Sequence, residues 1–500
     1  MPKSKLRPEE PSTKSKAVSR KAKVTTSIST SAKSQMPRTK SAPPKWLIMV
    51  YMAGDNPLND EMATAMSDIK NNYRRLNNYK FTAYFDNGTP LFPTTLQEFV
   101  TPQAVTTRTN ETDSANPLTI EEFIKWSIDK TKSYKADHYA LIMSGHGDGF
   151  QNYSFMRDES PLGAMPITRT NLGGGVQDNL RKVLEKNLLP SGKKLEILGF
   201  DTCVMATFEV AYELRNTANI MIASQGYVPI SGWSYAELIS KLKTNEKNNT
   251  LDATNTAQAM MSAYMTYSRQ YAKLVGRSAN ISSVELGNIL YIKNSLNKLA
   301  GLLNIFPRSA GYPTTFKHII ERALLLTHVK AQSFLFEQCV DIMDFCNLLR
   351  SECDYFNQIL TAPGEKTLIR LIKQECQATI GFIKAATIDC CFKGPDYQFG
   401  NGVSIFCPWS LTGFKMTEEK YQTFEFSAHL NAKKKFVAEP WTKFLKDFLK
   451  FNERPGNTQK GISGGVKVDP TSGKPRGDFS SQIDKFGKVK NFPLGWIDTP

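Results

Sequence analysis

Five short apolar runs alternate with helical patterns over residues 46–224, and this alternation is the feature that most limits how the chain can fold. The first run, WLIMVYMA, is apolar throughout, which indicates a strand. Helical spacing of apolar residues follows at 60–76, at 119–134 and from 207 onward. Strands that alternate with helices favour a mostly parallel sheet covered on both faces, so we predict an α/β fold. The predicted strands are 46–53, 80–85, 138–144, 195–200 and 220–224.

Reactive side chains follow two of these strands. The run LIMSGHGDGF places His146 between glycines just past the third strand, and FDTC places Asp201 and Cys203 at the end of the fourth. Ligands bind outside the carboxyl ends of strands in open α/β sheets. A thiol nucleophile needs a neighbouring base or acid and backbone donors for the developing oxyanion, for which the N–H groups of Gly147 and Cys203 are the candidates. The alternative is structural, because a free cysteine is usually a buried small hydrophobe.

The net charge lies mainly in the two terminal segments. Residues 1–45 hold twelve Lys and Arg against two acids, and residues 451–500 hold eight against five, which leaves +3 of the formal +16 for residues 46–450. The first segment is rich in Lys, Ser, Thr and Pro, a composition typical of a disordered tail. No aromatic-interleaved basic groove accompanies it, so we expect no specific nucleic-acid partner.

The eight cysteines do not suggest a disulfide framework. There is no Cys-x-x-Cys pair and no apolar stretch behind the basic N-terminus, so we expect reduced thiols and a cytoplasmic protein, with another export route left open. No run reaches the roughly 18 apolar residues of a membrane span, so we expect no transmembrane segment. Cys339, Cys346 and Cys353 are spaced for one helix face, where a buried stripe is favoured over a zinc site with His318 and His328.

Four segments of the sequence together resemble a known family. They are VYMAGDNPL at 50–58, ALIMSGHGDGF at 140–150, FDTCVMATFEVAYEL at 200–214 and ASQGYVPISGWSY at 223–235. In these segments the sequence is similar to the clostripain-like cysteine peptidases, relatives of caspases, gingipains and legumain. The similarity continues through 340–345, 402–410 and 439–448 and covers about 46–450.

The resemblance implies a caspase-like α/β/α sandwich with a mostly parallel sheet and a mixed α/β C-terminal part. It also implies that Cys203 attacks the scissile carbonyl, that His146 protonates the leaving amine, and that the amides of Gly147 and Cys203 hold the oxyanion. In this group of peptidases the two side chains are thought to be too far apart for a preformed ion pair. Phe150 replaces a common Trp, and Gln225 replaces an acidic residue that often follows the serine.

Asp201 is the residue from which we predict the substrate specificity. It resembles the acid that lines the primary pocket in relatives that cleave after basic residues, so we expect peptide or protein substrates with Arg or Lys at the cleavage site. A carboxylate can accept two parallel hydrogen bonds from a guanidinium, so Arg is expected to be preferred to Lys. The alternative is that Asp201 caps the following helix.

Self-processing of some relatives suggests a cut in residues 151–175, a Gly-, Pro- and Ser-rich segment in which Arg157 and Arg169 are the candidate sites. The alternative is a passive loop. We expect no cofactor and no metal; calcium dependence varies among relatives, and no D-x-[DN]-x-[DN]-G loop is present.

These expectations divide the chain into four parts. Residues 1–45 are a disordered basic tail, 46–245 a caspase-like catalytic core, 246–450 an α/β region that completes the peptidase, and 451–500 a Gly-, Pro- and Lys-rich tail. We expect a monomer. Two other functions stay open: a catalytically silent peptidase-like binding scaffold, and a tail-driven binder of anionic surfaces.

Overall fold

A computed structural model describes most of the 500-residue chain. The described residues are 42–88, 94–151, 154–159, 171–173, 179–335 and 338–453, with the pairs 467–468 and 475–476. All but residue 42 belong to one compact unit, Pro43–Pro500. Most of both predicted tails lies outside the described residues, so those assignments stay predictions.

The strands of the described residues fall mainly into one large sheet. Their bounds are β1 Trp46–Ala53, β2 Tyr79–Asp86, β3 Thr95–Phe99, β4 Val105–Arg108, β5 His138–Ser144, β6 Leu195–Asp201, β7 Ala218–Ala223, β8 Ala279–Glu285, β9 Ser333–Phe334, β10 Cys339–Asp341, β11 Thr387–Lys393, β12 Ser404–Phe406, β13 Ala428–Leu430, β14 Phe436–Ala438, β15 Lys467–Val468 and β16 Pro475–Arg476.

The helices occupy the connections between these strands. Their bounds are α1 Asn59–Asn72, α2 Pro117–Lys130, α3 Leu180–Leu184, α4 Phe208–Glu213, α5 Tyr235–Asn248, α6 Ala253–Val275, α7 Ile289–Leu303, α8 Thr314–Lys330, α9 Ile342–Asn357, α10 Pro363–Ala386, α11 Leu411–Tyr421 and α12 Pro440–Asn452. Within the described part of the chain, every helix is too short or too polar to cross a lipid bilayer.

The large sheet has nine strands in the order β11-β8-β7-β6-β5-β1-β2-β3-β4. The five central strands, β7 to β2 in this order, run parallel, and antiparallel strands extend both edges. All eight residues of β1 are buried, because helices cover both faces of its central position. The predicted mostly parallel α/β sandwich is therefore confirmed.

Alternate residues of β1 enter two different cores. Leu47, Met49 and Tyr51 pack into the cluster on one face of the sheet, whereas Ile48 and Val50 pack into the cluster on the other. This follows from the two-residue period of a strand. The sheet is thus the middle layer of three.

The C-terminal half of the chain contributes to the same sheet. Strand β8 pairs antiparallel with β7, and β11 pairs antiparallel with β8. A smaller sheet of β12, β10 and β9 packs nearby, and Ser404 of β12 forms a parallel bridge with Thr207, just behind the fourth predicted strand. The predicted mixed α/β C-terminal part is confirmed, while the boundary at residue 245 stays a prediction.

The cysteine stripe is only partly as predicted. Cys346 and Cys353 lie buried on α9, but Cys339 lies on β10, so the three are not on one helix face. The chain changes from strand to helix at Asp341, whose side chain caps α9 by accepting the Asp344 N–H. A spacing of seven cannot reveal such a change. Among the described residues, no three His, Cys, Asp or Glu side chains are arranged to hold a metal ion.

Candidate active site

The ends of β5 and β6 bring His146 and Cys203 to one edge of the sheet. In the parallel register Ser144 lies opposite Asp201, and each reactive residue stands two positions beyond its strand. The Gly145 N–H donates to the Asp201 carbonyl at 3.4 Å, so the chain leaves both strands side by side. His146, Gly147, Asp201 and Cys203 line one pocket, as the sequence pattern predicted.

Gly147 lies against the backbone of the turn that carries Cys203. A Cβ atom at this position would stand 2.7 Å from the Cys203 carbonyl oxygen, closer than real Cβ contacts allow. Within the described residues, neither the Gly147 nor the Cys203 backbone N–H donates a hydrogen bond. The two candidate oxyanion donors therefore lie on adjacent backbone segments, and both are open to a ligand.

The Cys203 sulfur contacts the segment that follows β7. The Val228 N–H donates to Sγ at 3.3 Å, and the Val228 carbonyl oxygen lies 3.8 Å from Sγ. Part of the residue is exposed, yet the surrounding protein removes most water from the sulfur. This burial raises the pKa of the Cys203 thiol to about 12, and the Val228 N–H works against the shift.

His146 is also uncharged in this environment. Burial, together with the positive charge of Arg157, lowers the pKa of His146 to about 4. Its Nε2 atom is buried and has no hydrogen-bond partner. At neutral pH the site therefore holds a neutral imidazole and a neutral thiol, with no thiolate–imidazolium pair.

Asp201 lies at the base of the pocket. Its Oδ2 accepts the Ser144 hydroxyl at 3.0 Å, while its Oδ1 is buried without a hydrogen-bond partner. Burial raises the pKa of Asp201 to about 6, opposed by hydrogen bonds from the Trp233 backbone and the Ser144 hydroxyl. The helix-cap alternative is wrong, because Thr207 caps α4 by accepting the Val210 N–H.

The pocket has an empty volume of about 830 Å³. Gly232 lies against Asp201 in this pocket. Its φ is 61°, and a Cβ atom there would stand 2.8 Å from Asp201 Oδ2, so only glycine fits without strain. Among the residues that the structure describes, no Lys or Arg lines the pocket. The lining residues are Pro57, Leu58, Glu61, Met62, Ala65, Ser144, Gly145, His146, Gly147, Ser154, Asp201, Thr202, Cys203, Tyr227, Val228, Pro229, Ile230, Ser231 and Gly232.

The two departures from the family pattern lie outside the pocket. Phe150 is fully buried, with its ring centre 4.8 Å from that of Phe406. Gln225 is also buried, and its Nε2 donates to Asp341 Oδ2 at 3.0 Å while its Oε1 accepts the Gly402 N–H. Gln225 therefore joins the core to the C-terminal half and does not line the pocket.

The sequence reasoning missed several pocket residues. Glu61 comes from the first turn of α1, Ser144 from the end of β5, and Ser231 from the turn after β7. No local motif marks them, because residues from three separate segments reach the pocket only in the folded chain. Of the three, Ser144 donates its hydroxyl to Asp201, and the Ser231 hydroxyl oxygen is buried without a partner.

One candidate processing site is held in place. The Arg157 side chain is 12% exposed and pairs with Glu159 at 3.1 Å, and the Arg157 carbonyl accepts the Asn56 amide at 2.9 Å. Arg169 lies outside the described residues. Arg157 is thus a poor site for cleavage in this conformation.

The chain is similar to known peptidases. A model of the clostripain peptidase family matches residues 50–391. Clostripain of Hathewaya histolytica is 26% identical over 245 residues, which cover 42% of this chain and 44% of that protein. This chain thus matches less than half the length of that curated relative.

Two solved structures share the fold. The inactive zymogen of a C11 protease from Parabacteroides distasonis has a TM-score of 0.50 and 17% identity, with 78% of this chain and 98% of that chain covered. A secreted C11 cysteine protease from Bacteroides thetaiotaomicron, bound to an irreversible peptide inhibitor, has a TM-score of 0.50 and 17% identity, with 77% and 99% covered. Because the family match spans more than half of the chain, the chain belongs to the clostripain family of cysteine peptidases.

Proposed function

We propose that this chain is an endopeptidase that cleaves peptide bonds after Arg or Lys, with Cys203 as nucleophile and His146 as its acid–base partner. The observation that carries the proposal is that the thiol, the imidazole and a buried carboxylate line the same pocket. A silent scaffold would not need this combination. No described contact favours the tail-driven binding function.

The proposed reaction uses a proton transfer between neutral groups. Cys203 Sγ attacks the scissile carbonyl carbon as the thiol proton passes to His146, and the oxyanion accepts the N–H groups of Gly147 and Cys203. When the C–N bond breaks, His146 gives the proton to the leaving amine. Water then hydrolyses the thioester, and its proton returns to Cys203 through His146. Because burial raises the pKa of Cys203 to about 12 and lowers the pKa of His146 to about 4, the resting pair is neutral, and the proposal assigns the proton transfer to the attack itself.

Substrate selection is assigned to Asp201. Its partnerless Oδ1 is an acceptor at the base of a pocket that no described cation neutralises. A basic side chain that enters the pocket supplies both the missing donor and the missing charge. The same cation favours the ionised form of Asp201, whose pKa is otherwise raised.

We also propose that the enzyme is cut within residues 151–175. The buried side chain and engaged carbonyl of Arg157 leave Arg169 as the better candidate. Intact-mass analysis of active enzyme gives the test: a break after Arg169 supports the proposal, and one unbroken chain contradicts it.

The proposed specificity is tested with fluorogenic peptides that differ only in the residue before the scissile bond. The wild type is expected to cleave the Arg and Lys peptides, and the Cys203→Ala variant to cleave none. Labelling of Cys203 by a thiol-reactive Arg peptide separates an enzyme from a silent scaffold. Preference for Asp or Asn in the panel would contradict the assignment of Asp201.

A further inference from the structure

Asp201 offers one free oxygen to a ligand. Its Oδ2 already accepts the Ser144 hydroxyl at 3.0 Å, and only Oδ1 has no partner. A guanidinium carries five N–H donors in a planar fork, whereas an ammonium is a compact point charge. A single oxygen satisfies an ammonium as well as it satisfies one arm of the fork. Asp201 alone therefore explains a preference for cations but not for Arg over Lys.

The pocket contains a second buried acceptor without a partner. The Ser231 hydroxyl oxygen is buried, makes no hydrogen bond, and belongs to a residue that lines the same pocket as Asp201. A buried hydroxyl left unsatisfied costs free energy, which a donor from a ligand recovers. The two open acceptors thus fit a ligand that presents more than one N–H group.

The backbone holds Ser231 in a tight turn. The Gly232 N–H donates to the Pro229 carbonyl at 2.8 Å, which closes residues 229–232, and Gly232 has a φ of 61°. The glycine after Ser231 also presses against Asp201, since a Cβ there would stand 2.8 Å from Oδ2. The turn therefore holds Ser231 directly before the glycine that lies against Asp201.

A second open hydroxyl, that of Thr202, belongs to a different part of the site. Thr202 Oγ1 is buried without a partner, but it lies 2.9 Å from the position that a Cβ on Gly147 would take. It thus packs beside the proposed oxyanion pair, and a substitution there would disturb the chemistry. Ser231 is the open hydroxyl whose neighbour in the chain, Gly232, lies against Asp201.

We infer that Ser231 is a specificity-determining residue: its hydroxyl accepts a guanidinium N–H that Asp201 does not use, and so selects Arg over Lys. The inference rests on the proposed function, because it assigns a finer role within the same pocket. Asp201 supplies the charge that both cations need. Ser231 supplies the second acceptor, which the fork of Arg can reach while its other arm binds Asp201.

The test compares two peptides that are identical except for Arg or Lys before the scissile bond. Ser231→Ala is expected to lower the ratio of kcat/KM for Arg to that for Lys by about tenfold, the usual range for a lost hydrogen bond to a charged group. Ser231→Thr keeps the hydroxyl and is expected to restore the Arg preference. Ser240→Ala, which removes an exposed hydroxyl from α5, is the matched control and should stay within about twofold of wild type.

A binding measurement gives the same comparison even if the Ser231 variant has lost turnover. Calorimetry with the amides of acetyl-arginine and acetyl-lysine, on Cys203→Ala with and without Ser231→Ala, should show the same change of ratio. An unchanged ratio, or an equal loss for both ligands, overturns the role of Ser231 and leaves the proposed function intact. A wild type that cleaves and binds neither basic ligand overturns both.

Discussion

Two aspartates end parallel strands of the same sheet but have different surroundings. Asp86 is the last residue of β2 and Asp201 the last residue of β6. Both are buried, and burial is the largest cause that raises the pKa of each. Asp201 has a hydroxyl and a backbone N–H as neighbours and lines an open pocket. Asp86 is surrounded by other acids.

The surroundings of Asp86 form an acid cluster, defined here as Asp86, Glu111 and Asp158. Negative charges of Asp158 and Glu111 add to burial in raising the pKa of Asp86. Asp158 accepts the Ser114 N–H at 2.7 Å, and Thr94 donates to Asp86 at 3.1 Å. None of the three lines the pocket of Cys203. A buried acid at a strand end thus becomes a candidate binding group only where a ligand can reach it.

The comparison predicts that changes at the pocket alter turnover, whereas changes in the acid cluster alter stability. The largest effect is expected for His146→Ala, because general acid–base help is worth about 10²–10⁴-fold. The measurement is kcat on an Arg peptide, with the melting temperature as control. A variant that keeps wild-type turnover would contradict the assigned role of His146. A variant that loses turnover together with its melting temperature would show an effect on stability instead of catalysis.

A selective loss is expected for Asp201→Asn. The amide keeps the shape of the side chain but removes the charge, so kcat/KM for Arg and Lys peptides should fall by about tenfold or more. Peptides with a neutral residue at that position should change far less. Cys203 alkylation by a small neutral reagent is the control, and an equal loss on all peptides would mean that Asp201 supports the site rather than the specificity.

A pH dependence follows from the raised pKa of Asp201, which is about 6. Below this value Asp201 becomes neutral, so kcat/KM for the Arg peptide should fall by up to about tenfold per pH unit. His146 has a pKa of about 4, so it stays neutral while Asp201 titrates near pH 6. The profile should lose its limb near pH 6 in Asp201→Asn. Persistence of that limb would assign it to another group.

The smallest effect concerns the stability of the acid cluster. Because the pKa of Asp86 is raised in the folded state, unfolded chains release the proton first as pH rises from about 4, and folding stability falls. Asp86→Asn removes this dependence. Its melting temperature should exceed that of wild type by about 2 °C or more at pH 8.5, with little difference at pH 4. Unequal kcat/KM values at pH 7 would show that the cluster acts on the pocket.

The parts of the molecule that local sequence encodes were predictable. Strands β1 and β5 have the predicted bounds, because continuous apolar runs leave few alternatives. His146 and Cys203 could be identified as candidate site residues because each comes two positions after the end of a predictable strand. Neither Ser231 nor the acid cluster was predicted, because only folding brings Ser231 into the pocket of Asp201 and brings Asp86 close to Asp158. The assignment of Cys339 to a helix was wrong, because the seven-residue spacing of the cysteines does not show that a strand ends between Cys339 and Cys346.

The pairing of β5 with β6 has a consequence for the proposed cut. The two strands are neighbours in the sheet, with Ala140–Ser144 beside Ile197–Asp201, and the candidate loop lies between them in the chain. A single break there would place His146 on one polypeptide and Cys203 on the other, while the ladder of backbone hydrogen bonds and the shared cores still join the pieces. Maturation would then create a two-chain enzyme whose reactive pair is divided between its subunits. Separation of the chains, and not only modification of the thiol, would be a route to inactivation.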